Sequence, residues 1–577
     1  MDNEEPEPAG PLRLDTSAHV CDSSVPVTSD PEREAPGALR ISVDIRRYPG
    51  IRRLAGDYAY AFDSLREFFA GDPAAASDWQ SAIDRAQAHP RDRALLATAL
   101  AQQQIRRGAP PEARAAAERL HDAATVAVVT GQQAGLFGGP LFTLLKAITA
   151  LKLAARIRQE HHVPAVAVFW IDAEDHDWNE VSGCDVLDGD LHPQTIRLSP
   201  PAGAGEGPVG RLRLDAGITT AIDELAAALP ATEFTATLLT RLRSAYRSGG
   251  TMSESFGRWL EFVLGEFGLV VYDASDPATK PLVGALFARE VQFAGRTAEL
   301  AAEAGERLVA LGYHAQVAAH TDAVALFSMA HGRTPIRFAD GRFQVDDQAV
   351  APAALAARVL ASPEGFSPNV LLRPIVQDTL FPTVAYVAGP NELAYLGQLK
   401  PVYAHFRVPM PLMVPRSSAT LLDSAGVRFL SKYGLAIETL HAEDEGQINR
   451  LLMAQLPPDV EQAFQDAAEA IDAKIQRLVS VVPSVDPTLE GAARSVLGRV
   501  NHELQGLHTK IIHAAKKRDD TLRRQFTRTR AQAFPHGHAQ ERSIGFVSFL
   551  NRYGPALVDR LIADLPLELG HHWVVTI

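Results

Sequence analysis

At 577 residues the chain is too long for one hydrophobic core, and roughly two to four structural units are expected. An apolar content of 46% is that of a globular protein, and a formal charge of −13 excludes the dominant basic surface that nucleic acid requires. No apolar run reaches the length of about 18 residues that a membrane span needs, and the start MDNEEPEPAG is acidic where a secretory signal would be basic. A cytoplasmic protein with no membrane or nucleic-acid partner is the expectation. Only Cys21 and Cys184 occur, so neither a disulfide framework nor a cysteine zinc site is expected, and Cys184 reads as a reduced core residue.

Residues 1–38, rich in Pro, Glu, Asp and Ser, read as a disordered acidic leader. Residues 39–200 hold N-terminal helices and the first half of an α/β core. Tyr58, Phe62, Leu65 and Phe68 recur at helical spacing, and residues 125–177 then give an apolar strand, a glycine-rich turn, a helix and a second apolar strand. This βαβ unit predicts a parallel sheet with its ligand crevice outside the carboxyl ends of the strands. Residues 201–365 read as an inserted connecting region that opens on PPAGAGEGPVG and contains the strand GLVVYD and a long Ala-rich helix. Core sequence resumes at 366–440, where NVLLRPIVQ, TVAYVAG and MPLMVPR read as further strands. Residues 441–535 form an antiparallel coiled-coil hairpin, with Val460, Phe464, Ala467, Ile471, Ile475 and Leu478 as one seam and Val500, Leu504, Leu507, Ile511 and Ala514 as the other. Such a hairpin either packs on its own domain or protrudes as a dimerisation arm, and the second is favoured because helices outside the sheet need a partner surface. The basic run from Lys516 to Arg530 is a solvated face or an anion contact. Residues 536–577 are a tail that packs back on the body.

Three constellations could carry chemistry. In TGQQAGLFGGP, Thr130, Gly131, Gln132, Gln133, Gly135, Gly138 and Gly139 join a strand to a helix. Glycines there permit close approach, and the helix start offers N–H groups to an anion, so the turn is either structural or ligand-binding. Its spacing is neither that of a dinucleotide fingerprint nor that of a P-loop. Lys146, further along the helix, pairs with a phosphate or snorkels to solvent. Glu174, Asp175, His176 and Asp177 end the second strand; carboxylates beside a histidine can set it up as a general acid or base, while Asp175 or Asp177 could instead cap the next helix. Four consecutive residues cannot all converge on one ion, so no metal is assigned. Between 366 and 420, Arg373, Gln377, Asn391, Glu392, Arg416 and Ser417 punctuate strand ends, with Arg373 and Arg416 as candidates for bidentate contact with a carboxylate or phosphate, or for ion pairing.

With these residues in view, the chain resembles the bacillithiol-biosynthesis cysteine-adding enzyme family. The matching pieces are VVTGQQAGLFGGPLFTLLKA, PAVAVFWIDAEDHDWNE, PVGRL, FSPNVLLRPIVQDTLFPTVAYVAGPNELAYLGQLKPV, PMPLMVPRSSATLLD, FPHGHAQER and NRYGP. The resemblance implies a Rossmann-like parallel-sheet core with inserted connecting regions, a C-terminal α-helical coiled-coil hairpin that makes a homodimer, and a ligase joining cysteine to glucosaminyl-malate. It implies ATP as co-substrate, His176 with Glu174, Asp175 and Asp177 as catalytic groups, and the glycine-turn residues, Lys146, Trp170, Arg373, Gln377, Asn391, Glu392, Arg416 and Ser417 as the substrate or nucleotide set. The chain departs from the family pattern at Asp172 and Ala173, where small residues are common, at Asn391 for a glycine and at Leu396 for an aromatic. A metal-dependent hydrolase built on the EDHD cluster, and a non-catalytic nucleotide-binding coiled-coil dimer, are the alternatives.

Overall fold

The computed structural model describes residues 40–317, 323–442, 445–454, 458–518 and 520–577, so the expected leader and Cys21 lie outside the described residues. Five strands form the central sheet: β1 (Val126–Gln132), β2 (Ala165–Ile171), β3 (Leu269–Asp273), β4 (Thr383–Ala388) and β5 (Leu412–Pro415). They lie in the order β5-β4-β1-β2-β3, every pair parallel. Helices cover both faces, which is why β2 reads AVAVFWI with every residue buried rather than alternating. The order reverses between β1 and β4, and such a switch point opens a crevice at the strand ends.

GLVVYD, expected inside the insertion, is instead the edge strand β3 of the core, aligned from Ala167 opposite Leu269 to Ile171 opposite Asp273. A short buried apolar run does not reveal which sheet it joins. The expected insertion at 201–365 is therefore two insertions. The first, between β2 and β3, carries a hairpin of Gly183–Leu187 with Pro193–Arg197 and the helices Gly217–Ala228, Thr235–Ala245 and Met252–Leu264. The second, between β3 and β4, carries a five-stranded antiparallel sheet that includes Ala323–Ser328, Thr334–Ala339 and, at its edge, Phe366–Pro368. NVLLRPIVQ is also corrected, from strand to helix Arg373–Leu380. Asn369 Oδ1 accepts from the Leu371 and Leu372 amides, and Pro374 sits in the first turn, where no N–H is needed.

Helix α1 (Leu141–Glu160) crosses from β1 to β2 and is buried along most of its length. The hairpin consists of α2 (Pro458–Val481) and α3 (Leu489–Arg518), joined by a short turn at Val482–Ser484. Phe464 and His508 meet across it, ring centroids 4.5 Å apart. The first seam runs through Phe464, Ala468, Ile471, Ile475 and Val479, so Ala467 and Leu478, placed there by the heptad count, face outward, as do Leu507 and Ala514 on the second helix. The side chains of Val460 and of Lys516, Lys517 and Arg518 lie outside the described set.

The end of the chain joins a sheet with two earlier segments. His571–Thr576 pairs parallel with Ser418–Leu422 and antiparallel with Arg40–Asp44, making a three-stranded sheet from distant parts of the chain. Among the described residues no helix is long and apolar enough to cross a membrane.

Candidate active site

Lys146 sits at the switch point. Helix α1 is packed on nearly every side, so its lysine turns inward rather than to solvent and is 1% exposed. Its Nζ donates to Gly131 O at 3.0 Å, to Gln132 Oε1 at 3.2 Å and to Glu392 Oε1 at 2.5 Å, which uses all three hydrogens. Burial pulls this ammonium below its usual pKa and the Glu392 carboxylate opposes the fall. Lys146 thereby ties the end of β1 to the turn after β4 across the crevice.

The glycine turn divides in two. Its first half faces the crevice: Gln133 Nε2 donates to Asp175 Oδ2 at 2.7 Å and to Glu180 Oε2 at 2.8 Å. The second half is filled by the chain's own tail. The Leu141 amide at the start of α1 donates to Ile544 O (2.8 Å), and the Phe546 amide donates to Gly139 O. Gly138 has φ +97°, and a Cβ there would overlap the Phe546 ring. The expected phosphate cradle is therefore a docking notch for residues 544–546 at Gly138 and Gly139, because the Leu141 N–H and the space beside Gly138 are taken, while Gly135 packs against the backbone of Gly139.

Past β2, the carboxylates separate by environment. Glu174 is buried and paired with Lys280, which also donates to Phe366 O; burial raises its pKa against that pairing. Asp172 is likewise raised by burial, with Arg373 opposing. Burial also pushes Asp175 up, but bonds from Gln133 and the His176 amide, together with the Arg333 charge, outweigh it and hold its carboxyl below the usual range. Asp177 caps the short helix Trp178–Val181 through the Glu180 amide, the structural role open to it from sequence. His176 stands at the mouth, half exposed, with Nδ1 3.3 Å from Arg333 Nη1 and 3.4 Å from Asp175 Oδ1. The loop at 208–210 clamps this segment: the Val209 and Gly210 amides donate to Asp175 O and Ala173 O, and a Cβ on Gly210 would overlap Ala173.

Arg373 faces the same crevice from its helix. Its contacts are long: 3.4 Å to Gln377 Oε1, 3.5 Å to the Tyr386 hydroxyl and 3.7 Å to Asp172 Oδ2. A largely buried guanidinium with such loose partners keeps donors for an anionic ligand. Gln377 itself is buried and donates to Asp378. Glu392 belongs to the site through Lys146, while Asn391 turns away, its amide donating to Gly50 O.

Other expected site residues are structural in place. Arg416 forms a buried bidentate pair with Glu541 (2.8 and 2.7 Å), and Ser417 donates to Pro566 O, so both anchor the tail. The Thr130 hydroxyl donates to Val387 O, stitching β1 to β4. Trp170 packs in the core against Tyr272, with centroids 4.8 Å apart. Cys184 is a buried free thiol, as expected. Among the described residues no three His, Cys, Asp or Glu side chains converge as a metal-ligand set, so the hydrolase alternative finds no ligand cluster there.

Sequence reasoning missed Arg333, Lys280 and Tyr386. Arg333 and Lys280 come from the second insertion and carry no local motif; Tyr386 lies inside the family-matching piece TVAYVAG and could have been found there.

Comparison with known proteins agrees with this architecture. Residues 41–417 match the family description "Bacillithiol biosynthesis BshC, N-terminal Rossmann-like domain" and residues 419–577 match "Bacillithiol biosynthesis BshC, C-terminal coiled-coil domain". A relative from Salinibacter ruber named "Putative cysteine ligase BshC" is 35% identical over 525 residues, covering 90% of this chain and 95% of its own. Relatives of the same printed name from Koribacter versatilis and Symbiobacterium thermophilum are each 32% identical, over 90% and 91% of this chain and 96% and 98% of theirs. A Rossmann-like strand order, the two insertions, the coiled-coil hairpin and these matches together place the chain in the bacillithiol biosynthesis BshC family.

Proposed function

We propose that this chain is a ligase that adds L-cysteine to glucosaminyl-malate, completing bacillithiol, with ATP activating the cysteine carboxylate. The observation that carries the reading is the pairing, in one crevice, of a histidine flanked by a low-pKa carboxylate, His176 with Asp175, and of a buried cation with loose partners, Arg373. Amide formation needs both. The cysteine carboxylate attacks a phosphorus of ATP and becomes an acyl adenylate or an acyl phosphate, releasing pyrophosphate or ADP. The acceptor amine then attacks the acyl carbon, the C–N bond forms, AMP or phosphate leaves, and the ammonium proton passes to a base. His176 is the group we assign to that proton, and Arg373 to the charge developing on the acyl or phosphoryl oxygens. Because the start of α1 is closed by residues 544–546 and Lys146 has spent its hydrogens, the anionic groups are assigned to Arg373 rather than to the glycine turn.

A homodimer through the hairpin belongs to the same proposal. Leu478, Val481, Val485, Leu489, Val496 and Leu507 are exposed apolar side chains on α2, α3 and their connection, a set that association of two hairpins would cover. The reaction is tested by incubating the purified protein with cysteine, ATP and glucosaminyl-malate and following the mixture by mass spectrometry. A cysteine adduct is expected, and the coproduct, AMP or ADP, tells adenylate from acyl phosphate. Bound nucleotide without an adduct overturns the reading.

A further inference from the structure

Two charged groups meet the same ring nitrogen of His176. Arg333 Nη1 lies 3.3 Å from its Nδ1, and a guanidinium has only N–H donors, so the Nδ1 that faces it presents its lone pair. The proton of the neutral ring is then on Nε2. Asp175 Oδ1 lies 3.4 Å from the same Nδ1, and a carboxylate oxygen opposite a lone pair is an unfavourable neighbour. Were Nδ1 protonated, that oxygen would be its natural acceptor. Arg333 and Asp175 thus compete for one nitrogen, each demanding the opposite tautomer, and Arg333 occupies it.

The rest of the guanidinium is anchored. Nη2 donates to Pro368 O at 3.2 Å, Nε faces Ser367 Oγ at 3.4 Å, and the group lies 3.9 Å over the Phe327 ring. Nη1 is the corner that reaches the carboxylate cluster, 3.6 Å from Asp175 Oδ1. An oxyanion arriving in the crevice can take Nη1 without dislodging the arginine, and charge-assisted bonds to an anion are stronger than one to a neutral imidazole.

We propose that Arg333 couples anion binding to activation of His176, an inference that rests on the assignment of His176 as the base. A carboxylate or phosphate oxygen of the substrate replaces Nδ1 as the partner of Nη1. Nδ1 then gains a proton from water while Nε2 gives one up, the ring staying neutral, and Nδ1–H donates to Asp175. Nε2 is left with a free lone pair, which accepts the proton released by the attacking amine. The second insertion, which carries Arg333 at the start of strand Thr334–Ala339, thereby becomes part of the catalytic apparatus.

The test reads the tautomer directly. The full chain is labelled with ¹⁵N in its histidine rings and studied at about pH 8, where an ordinary histidine is neutral, and the His176 signals are those lost in His176→Gln. Without ligand, Nδ1 is expected to be the unprotonated nitrogen. Saturating L-malate or inorganic phosphate is expected to move the proton to Nδ1, and whichever anion does so identifies the oxyanion as carboxylate or phosphate. In Arg333→Gln the Nδ1–H form is expected without any ligand, with no further response to either anion. Arg333→Lys, which keeps the charge but lacks a fork to reach both Pro368 and His176, is expected to behave the same and serves if the glutamine variant folds poorly. A ligand-free wild type already protonated at Nδ1, or a tautomer that ignores both anions, overturns the proposal. Absence of a cysteine adduct speaks only against the proposed reaction, since the tautomer is read without turnover.

Discussion

At the scale of single residues, the crevice sorts its charges by burial and by the quality of their partners. The His176 ring is half exposed, and its contacts with Arg333 and Asp175 lie at the mouth of the crevice. His176→Ala is expected to lower kcat by about 10²- to 10⁴-fold, the usual worth of a general base, with an unchanged melting temperature; undiminished turnover in a steady-state assay would remove it from the mechanism. Arg373→Lys keeps the charge and loses the planar fork, so KM for the anionic substrate is expected to rise about tenfold, on the order of 1.4 kcal/mol of binding. An unchanged KM would show that Arg373 serves the fold alone. How much of this was legible follows from distance along the chain. Lys146, Glu174, Asp175 and His176 lie within one βαβ unit, and local sequence exposed them. Arg333 meets His176 across 157 residues and carries no motif of its own, so only the folded chain brings it in. Arg416 shows the same limit: anion contact and ion pairing were both open to it from sequence, and only the fold places Glu541, 125 residues on, against it.

At the scale of elements, β1, α1 and β2 were readable because buried parallel strands are continuous apolar runs and a crossover helix must lie between them. β3 and the helix at 373 were not, since a short apolar run fits a core strand, an insertion strand or a helix equally well. The glycine turn shows the same ambiguity in chemistry, for space left by missing side chains can receive a ligand or the chain itself. Gly138→Ala is therefore expected to cost stability rather than nucleotide affinity, because the added methyl meets the Phe546 ring at a positive φ. Steric overlap in a packed site costs about 1–3 kcal/mol or more, readable as a lowered denaturant midpoint. A variant as stable as wild type but defective in nucleotide binding would restore the cradle. For the hairpin, Leu507→Glu places a charge on its exposed apolar face, and light scattering after gel filtration is expected to show a dimer shift to monomer. A monomeric wild type would end the dimer proposal.

At the scale of the whole molecule, the three-stranded sheet fastens residues 40–44, 418–422 and 571–576 together over a buried polar cluster. His572 lies at its centre, with Nε2 2.8 Å from Thr420 Oγ1, Nδ1 3.0 Å from Ser418 Oγ and its ring stacked on Tyr48 at 3.6 Å. Burial holds it neutral, down to a pKa of about 4 from 6.5, against the attraction of Glu541. The unfolded chain binds a proton below 6.5 that the native state refuses until about 4, so this group's share of stability is complete above 6.5 and drains away as pH falls through that window. The full share is on the order of 3 kcal/mol. Wild type is expected to lose more melting temperature between about pH 7.5 and 5 than His572→Asn does; parallel curves would contradict it.

That sheet also sets the order of events on the ribosome. Arg40 donates to Asp564 O, 524 residues further along, and the Phe546 ring fills the notch at Gly138 together with Trp259. In chain order β1, α1 and the histidine loop precede the hairpin, and the hairpin precedes residues 544–546, which close on them. Closing contacts so distant in sequence is slow and leaves apolar surface uncovered meanwhile. A chain that stops short of residue 544 leaves the Gly138 notch and the Leu141 amide at the start of α1 without the groups that cover them.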